Sequence, residues 1–257
     1  MSASMGEVGN DTDISEEEQT LRVDLAAAYR LADHFGWGDL TSAHFSAAIP
    51  GEKNVFLVNP YPSYFHQLCA SHLIKLNMDG KQVGGPPSNV NPAGFTIHSA
   101  VHMARPDAGC VMHVHTVAGM ALSALDCGLL PLTQHALIFN ESIGYHDYEG
   151  IADDLAERER LVADLANHKA VILRNHGFLV VGRTIPEAFK TMFYLEKAAT
   201  AQLMAMAACA SGAKMVQPKP EVCKKTAAQY REFGVFGTDD WPGHLKTLDA
   251  QDPSFRN

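Results

Sequence analysis

After the polar run Ser15-Glu16-Glu17-Glu18, the positions Leu21, Leu25, Ala28, Tyr29 and Ala32 recur at the helical period. This predicts an amphipathic helix that opens in a capping box, with an acidic first turn at the positive end of the helix dipole, and stops near Phe35-Gly36. The runs 43–49, 55–59 and 73–76 are β-like and are separated by Pro-Gly, Asn-Pro and Asp-Gly turn signals, so they read as strands of an early, partly antiparallel sheet. A helical stretch from Phe95 to Met103 stops before Arg105-Pro106, where proline biases its predecessor away from the α region. Cys110 to His115 then alternates as a strand, which puts His113 and His115 on one face and Met112 and Val114 on the other. Asp153 to Asn167 carries Leu155, Leu161, Val162 and Leu165 at helical spacing. Ala170 to Leu173 and Phe178 to Val181 flank Arg174-Asn175-His176-Gly177, a hairpin with His176 at its turn. The longest amphipathic helix runs from Ile185 to Ala210, with Phe189, Met192, Phe193, Leu203 and Met206 as the expected core stripe and Met204-Ala205-Met206 as ordinary packing.

No internal repeat or strong linker interrupts this series. It reads as one α/β domain over residues 15–212, with a disordered segment over 1–14 and a Pro-, Lys- and Gln-rich extension over 213–257 that closes on a polar tail around Trp241. Twenty basic against twenty-nine acidic residues leave a net charge of −9, which disfavours any nucleic-acid partner. The longest apolar stretches, such as Phe178-Leu179-Val180-Val181, fall far short of the roughly 18 residues of a membrane span. Met1 to Asp13 has neither basic residues nor an apolar core, so no targeting peptide is expected. Five cysteines without CxxC spacing read as free thiols of a reducing, cytoplasmic compartment.

Thirteen histidines are the compositional oddity. On a strand, His113 and His115 lie roughly 6.5 to 7 Å apart at Cα, close enough to share a divalent ion if His176 arrives from a neighbouring turn. The alternative for such a pair is two half-buried imidazoles bonded to backbone carbonyls. Asn175 is placed to orient His176. His98 and His102, at i and i+4, share a helix face without the glutamate of an HExxH motif. Glu141 and Glu149 read as solvated, and Glu196 with Lys197 as a charged helix face.

The series Ala104-Arg105-Pro106-Asp107-Ala108, His113-Val114-His115-Thr116, Arg174-Asn175-His176-Gly177 and Phe193-Tyr194-Leu195-Glu196-Lys197 resembles the class II aldolase/adducin family. Asn91-Pro92-Ala93-Gly94-Phe95, Pro131-Leu132-Thr133-Gln134 and Ile143 to Gly150 resemble its adducin-like branch, and the likeness covers about residues 18–211. It implies an α/β fold, a three-layer α/β/α sandwich around a mostly antiparallel sheet. It also implies a divalent metal on His113, His115 and His176, and homotetramers with sites near subunit boundaries. Where the family's sugar-phosphate aldolases carry Ser-Ser-Glu, this chain has Pro92-Ala93-Gly94, which supplies neither hydroxyls nor a proton-abstracting carboxylate. Their Gly-Asn-x-Ser phosphate element falls at Ala43-His44-Phe45-Ser46. Their tyrosine proton donor falls at His135, and His98 follows the missing carboxylate by one helical turn, so His135 and His98 are the catalytic candidates.

These features predict a metal-dependent carbon–carbon lyase acting on a non-phosphorylated oxo or hydroxy acid. Zinc is the first choice of metal, and manganese or iron also suits imidazole ligands. Decarboxylation fits the missing carboxylate, because departing carbon dioxide leaves its electron pair behind, and aldol cleavage with a histidine base is the neighbouring possibility. The partner would be a small-molecule carboxylate or hydroxycarbonyl compound. The contrasting expectation is a non-catalytic, adducin-like oligomerisation or binding module, which has no need of three convergent imidazoles.

Overall fold

The computed structural model describes residues 14–150, 156–232 and 236–257. The expected N-terminal disorder, apart from Ile14, and the start of the helix expected from Asp153 lie outside the described residues.

Among the described residues the strands are β1 (His44–Ala48), β2 (Val55–Val58), β3 (Ile74–Asn77), β4 (Gln82–Gly84), β5 (Cys110–Val114), β6 (Ile143–His146), β7 (Ala170–Leu173) and β8 (Gly177–Gly182). They form one sheet in the order β4-β3-β2-β1-β5-β8-β7-β6. Only the β6–β7 pair is parallel, so the sheet is mostly antiparallel. The helices are α1 (Glu16–His34), α2 (Pro92–Ala104), α3 (Val117–Ser123), α4 (Glu157–Leu165), α5 (Ile185–Cys209), α6 (Pro220–Glu232) and α7 (Trp241–Gln251).

Strand alternation sorts the layers. Cys110, Met112 and Val114 of β5 enter a core shared with Leu25 and Tyr29 of α1 and with Ala188 and Met192 of α5. Val111, on the other face, packs with Ile97 and Val101 of α2 and with Leu161 and Leu165 of α4. Helices therefore cover both faces, giving a three-layer α/β/α sandwich. His113 shares the Val111 face and so points into the α2 layer.

Ser15 caps α1 by accepting the Glu18 N–H at 3.1 Å. Glu18 itself is buried and holds Arg22 at 2.7 Å and Lys75 at 2.6 Å, tying the first helix to β3. The stripe on α5 ends sooner than expected. Its last buried residue, Gln202, accepts the Leu130 N–H at 2.7 Å and donates to the Gly128 carbonyl at 2.8 Å. Beyond it Leu203 and Met206 are only half-buried and Met204 is 70% exposed, so these residues are not core.

The C-terminal region departs most from expectation. Instead of a polar tail, Trp241 and Leu248 of α7 and Phe255 of the short turn that follows it are buried in the main core. The Trp241 indole donates to Asp24 at 2.8 Å, and Arg30 pairs with Asp252 at 3.2 Å, which docks α7 on α1. The five cysteines are free. Among the described residues no helix is long and apolar enough to cross a membrane.

Candidate metal centre

β5 lies between β1 and β8, and His113 stands in register with His44 on one side and Leu179 on the other. The chain leaves the strand at His115, and Thr116 caps α3 by accepting the Gly119 N–H at 3.0 Å. The β7–β8 turn brings in His176. Asn175 takes a φ of 55° there, a left-handed conformation that asparagine tolerates well. A Cβ on Gly177 would overlap the Val114 carbonyl oxygen, so only glycine lets the turn close against β5. The expected orienting role of Asn175 is thus replaced by a backbone role.

Nε2 of His115 lies 2.7 Å from Nε2 of His113 and 2.9 Å from Nε2 of His176. All three donor atoms fall within 4.8 Å of one another. Hydrogen-bond chemistry says what the space between them suits. His113 Nδ1 faces the Phe178 carbonyl at 2.9 Å, which can only accept, so the ring proton sits on Nδ1. His115 Nδ1 faces the Asp39 carboxylate at 2.9 Å, with the same result. With His115 neutral, two bare Nε2 lone pairs meet at under 3 Å with no proton between them. That contact is repulsive unless a cation shares it, and neutral imidazoles on a closed triangle are a divalent-ion donor set with room for a further ligand. Burial keeps the His113 and His176 rings neutral. It holds His113 well below its ordinary pKa, and together with His115 and His146 it lowers His176 to about 4.

Asp39 was not anticipated, because it lies far from His115 in sequence and only the fold joins them. It is half-exposed, so its loss should spare the core. Asp39→Ala is expected to weaken metal affinity by about 10- to 100-fold through the freed His115 ring. Competition against a chromogenic chelator reads this, and an unchanged affinity would show that Asp39 does not orient the ligand.

The two catalytic candidates are placed elsewhere. His98 is 0% exposed, with Nε2 2.8 Å from His44 Nδ1 and Nδ1 against the Ser46 hydroxyl, so it cannot touch a substrate and acts as a support. His135 stacks edge-on at 4.4 Å against Tyr194 in a 330 Å³ cavity with Phe35, Phe189 and Asp240, which shares no lining residue with the three histidines. Within one protomer His135 is therefore not brought to the centre. Burial and Lys197 lower its pKa.

Two further groups border the centre. A Cβ built on Gly94 would lie 2.9 Å from His44 Cδ2, so the His44 ring occupies the space a side chain at position 94 would need. The absence of a carboxylate there is thus built into the packing. Glu196, expected on a charged helix face, is buried instead. It accepts from the Thr116 hydroxyl, and desolvation pushes its carboxyl up to about 7. It lines a 540 Å³ cavity with Phe35, Trp37, Thr116, Phe193 and Lys197, which reaches Thr116 but none of the three histidines.

The model of the class II aldolase and adducin N-terminal domain matches residues 23–203. A protein of Caulobacter vibrioides provisionally named an aldolase class 2 protein is 48% identical over 244 residues, covering 94% of each chain. Alpha-adducin of Rattus norvegicus is 42% identical over 206 residues, which are 79% of this chain and 28% of adducin. The solved L-fuculose 1-phosphate aldolase of Glaciozyma antarctica superposes with a TM-score of 0.83 at 28% identity, covering 100% of this chain and 97% of the other.

Proposed function

The chain belongs to the class II aldolase and adducin N-terminal domain family, and from that premise we propose that it is a metal-dependent carbon–carbon lyase for a non-phosphorylated oxo or hydroxy acid. The observation that carries this reading is the convergence of bare Nε2 lone pairs on His113 and His115 with His176 closing the triangle. Zinc is the proposed ion, with manganese and iron as substitutes. The working form is a cytoplasmic homotetramer.

Bound there, a divalent ion supplies Lewis acidity to a substrate carbonyl or carboxylate oxygen. The protein's own part is to hold the three rings. The Phe178 carbonyl and Asp39 fix the tautomers of His113 and His115, and the glycines at 94 and 177 let the walls close. With His44 filling the place of a carboxylate, no strong base faces the substrate α-carbon. Decarboxylation needs none, because the bond to the carboxylate carbon breaks, carbon dioxide leaves, and the electron pair stays on the substrate until a proton arrives. His135 serves as proton donor in this scheme only across a subunit boundary, which the homotetramer would provide.

Phosphate has little to hold it. The Ala93 and Gly94 N–H groups at the start of α2 are already taken by the Asn91 side chain, at 3.1 and 3.4 Å, rather than left open for an anion. The likeness to the fuculose phosphate enzyme supports the fold and the reaction class rather than its substrate. A non-catalytic binding module is the second reading, favoured by the 42% identity to alpha-adducin. It leaves the repulsive histidine contact unexplained.

Protein purified without a histidine tag is expected to carry one divalent ion per chain. In competitive titration it should bind simple 2-hydroxy, 2-oxo or aromatic hydroxy acids more tightly than fuculose 1-phosphate. An empty centre would undercut the lyase reading, and tighter binding of the sugar phosphate would overturn the substrate class.

A further inference from the structure

Behind the three histidines runs a second file of imidazoles. His44 Nδ1 is 2.8 Å from His98 Nε2, His98 Nδ1 meets the Ser46 hydroxyl, the same hydroxyl is 2.7 Å from His102 Nε2, and His102 Nδ1 is 3.1 Å from the Ala108 carbonyl. We propose that this file makes His44 the group that reads a substrate hydroxyl, by fixing its Nε2 as a hydrogen-bond acceptor beside the centre. The inference rests on the lyase reading above and narrows its substrate from oxo or hydroxy acids to hydroxy acids.

The direction of every bond follows from the far end. The Ala108 carbonyl can only accept, so His102 carries its proton on Nδ1 and offers a lone pair on Nε2. Ser46 must give its single proton to that nitrogen, and its oxygen then accepts from His98 Nδ1. His98 is left with a bare Nε2, which accepts from His44 Nδ1. His44 is left with a bare Nε2. Reversing any one bond would require a backbone carbonyl to donate, or a buried ring to hold two protons. Burial opposes the second option, because none of the three rings has the water that a second proton would need.

Geometry places that lone pair where it matters. The His44 ring packs 5.0 Å from the His113 ring, centroid to centroid. Its Nε2 lies 3.2 Å from where a Cβ on Gly94 would stand, so a larger residue at 94 would crowd the ring edge that carries this nitrogen. A substrate hydroxyl has a proton to give to such a lone pair. A keto or ether oxygen at the same place has none and would face it with lone pairs of its own. The site therefore discriminates by hydrogen-bond direction, a kind of selectivity that shape alone does not give.

The test has two arms. In the first, long-range nitrogen–proton NMR on histidine-labelled protein as purified reads the tautomers. His44, His98 and His102 are each expected to be protonated at Nδ1 and bare at Nε2, with Ser46→Ala relaxing His44 to a mixture. In the second, calorimetry on zinc-loaded protein compares lactate with pyruvate and with 2-methoxypropanoate. Lactate is expected to bind about tenfold more tightly than either, as one satisfied acceptor implies. His44→Leu should bring the three within about twofold, and Ser46→Ala, which keeps the ring, should reduce the preference. A His44 that carries its proton on Nε2, or a lactate preference that survives His44→Leu, overturns the proposal. If zinc fails to load, the lyase reading fails by itself, while the tautomer arm still decides the acceptor role of His44.

Discussion

His176→Ala is expected to empty the centre, taking bound metal from one ion per chain to a trace and reducing turnover to background. A catalytic ion of this kind is held by three protein ligands with one position open, and two histidines are not enough to retain it. The Lewis acidity lost is worth several kcal/mol in the transition state, about 10³-fold or more in rate. His176 suits the test because it sits half-exposed on a turn, so its truncation leaves the sheet packed. Thermal melts add a sharper readout. In the wild-type protein, added zinc should raise Tm by mass action on the folded state, whereas the variant's Tm should ignore zinc. Without metal, the variant should melt no lower than the wild type, because one of the crowded nitrogens has gone. Stoichiometric metal in His176→Ala would show that the three rings do not act as one site.

Acid should unfold the metal-free protein well above the pH at which most domains fail. His44 and His102 are folded with pKa values of about 3 and about 4. The unfolded chain binds a proton at each below about 6.5. Between these limits the unfolded state holds more protons, so stability falls as pH falls from about 6.5 toward the folded values. At pH 4 each histidine contributes a loss of about 3 kcal/mol, and His98 adds to it in the same direction. Glu196 works oppositely. Its folded pKa of about 7 lies above the ordinary 4.5, so the folded state keeps a proton that the unfolded state releases, and stability rises as pH falls through that window. This offsets roughly one histidine, about 3 kcal/mol. The remaining loss is large against a total stability of about 5–15 kcal/mol. Urea midpoints in chelator at pH 7, 5.5 and 4 should therefore drop steeply, and Glu196→Gln should steepen the drop. A flat profile from pH 7 to 4 would refute the linkage.

The parts of this molecule that could be read from its sequence are those whose signal is local. Alternation in Cys110 to His115 places His113 with Val111 and apart from Met112, and the Asn175-Gly177 punctuation places His176 at a turn. What local patterns do not carry is which strands become neighbours. β1 lies beside β5 although three strands separate them in the chain, so the pairing of His44 with His113 belongs to topology. Helical period correctly put His98 and His102 on one face of α2, but period does not say whether that face meets solvent or the sheet. The same holds for Glu196, whose polarity suggested a surface that the fold covers. For Trp241 and Leu248 the signal was present as a seven-residue helical spacing, hidden by the polar residues between them, whereas Phe255 lies past the helix end and is placed by tertiary packing.

The contest between Gly94 and His44 for one volume makes the two positions a single unit of inheritance. With the ring 2.9 Å from the place of the missing Cβ, a glutamate at 94 forces the imidazole at 44 to shift. Changing either alone passes through a misfit: a clash if the side chain at 94 comes first, a hole beside His113 if the ring at 44 shrinks first. The two states, a carboxylate against the centre or a hydroxyl reader in its place, are therefore separated by a two-step valley. A laboratory library that samples one substitution at a time is expected to find each first step destabilising.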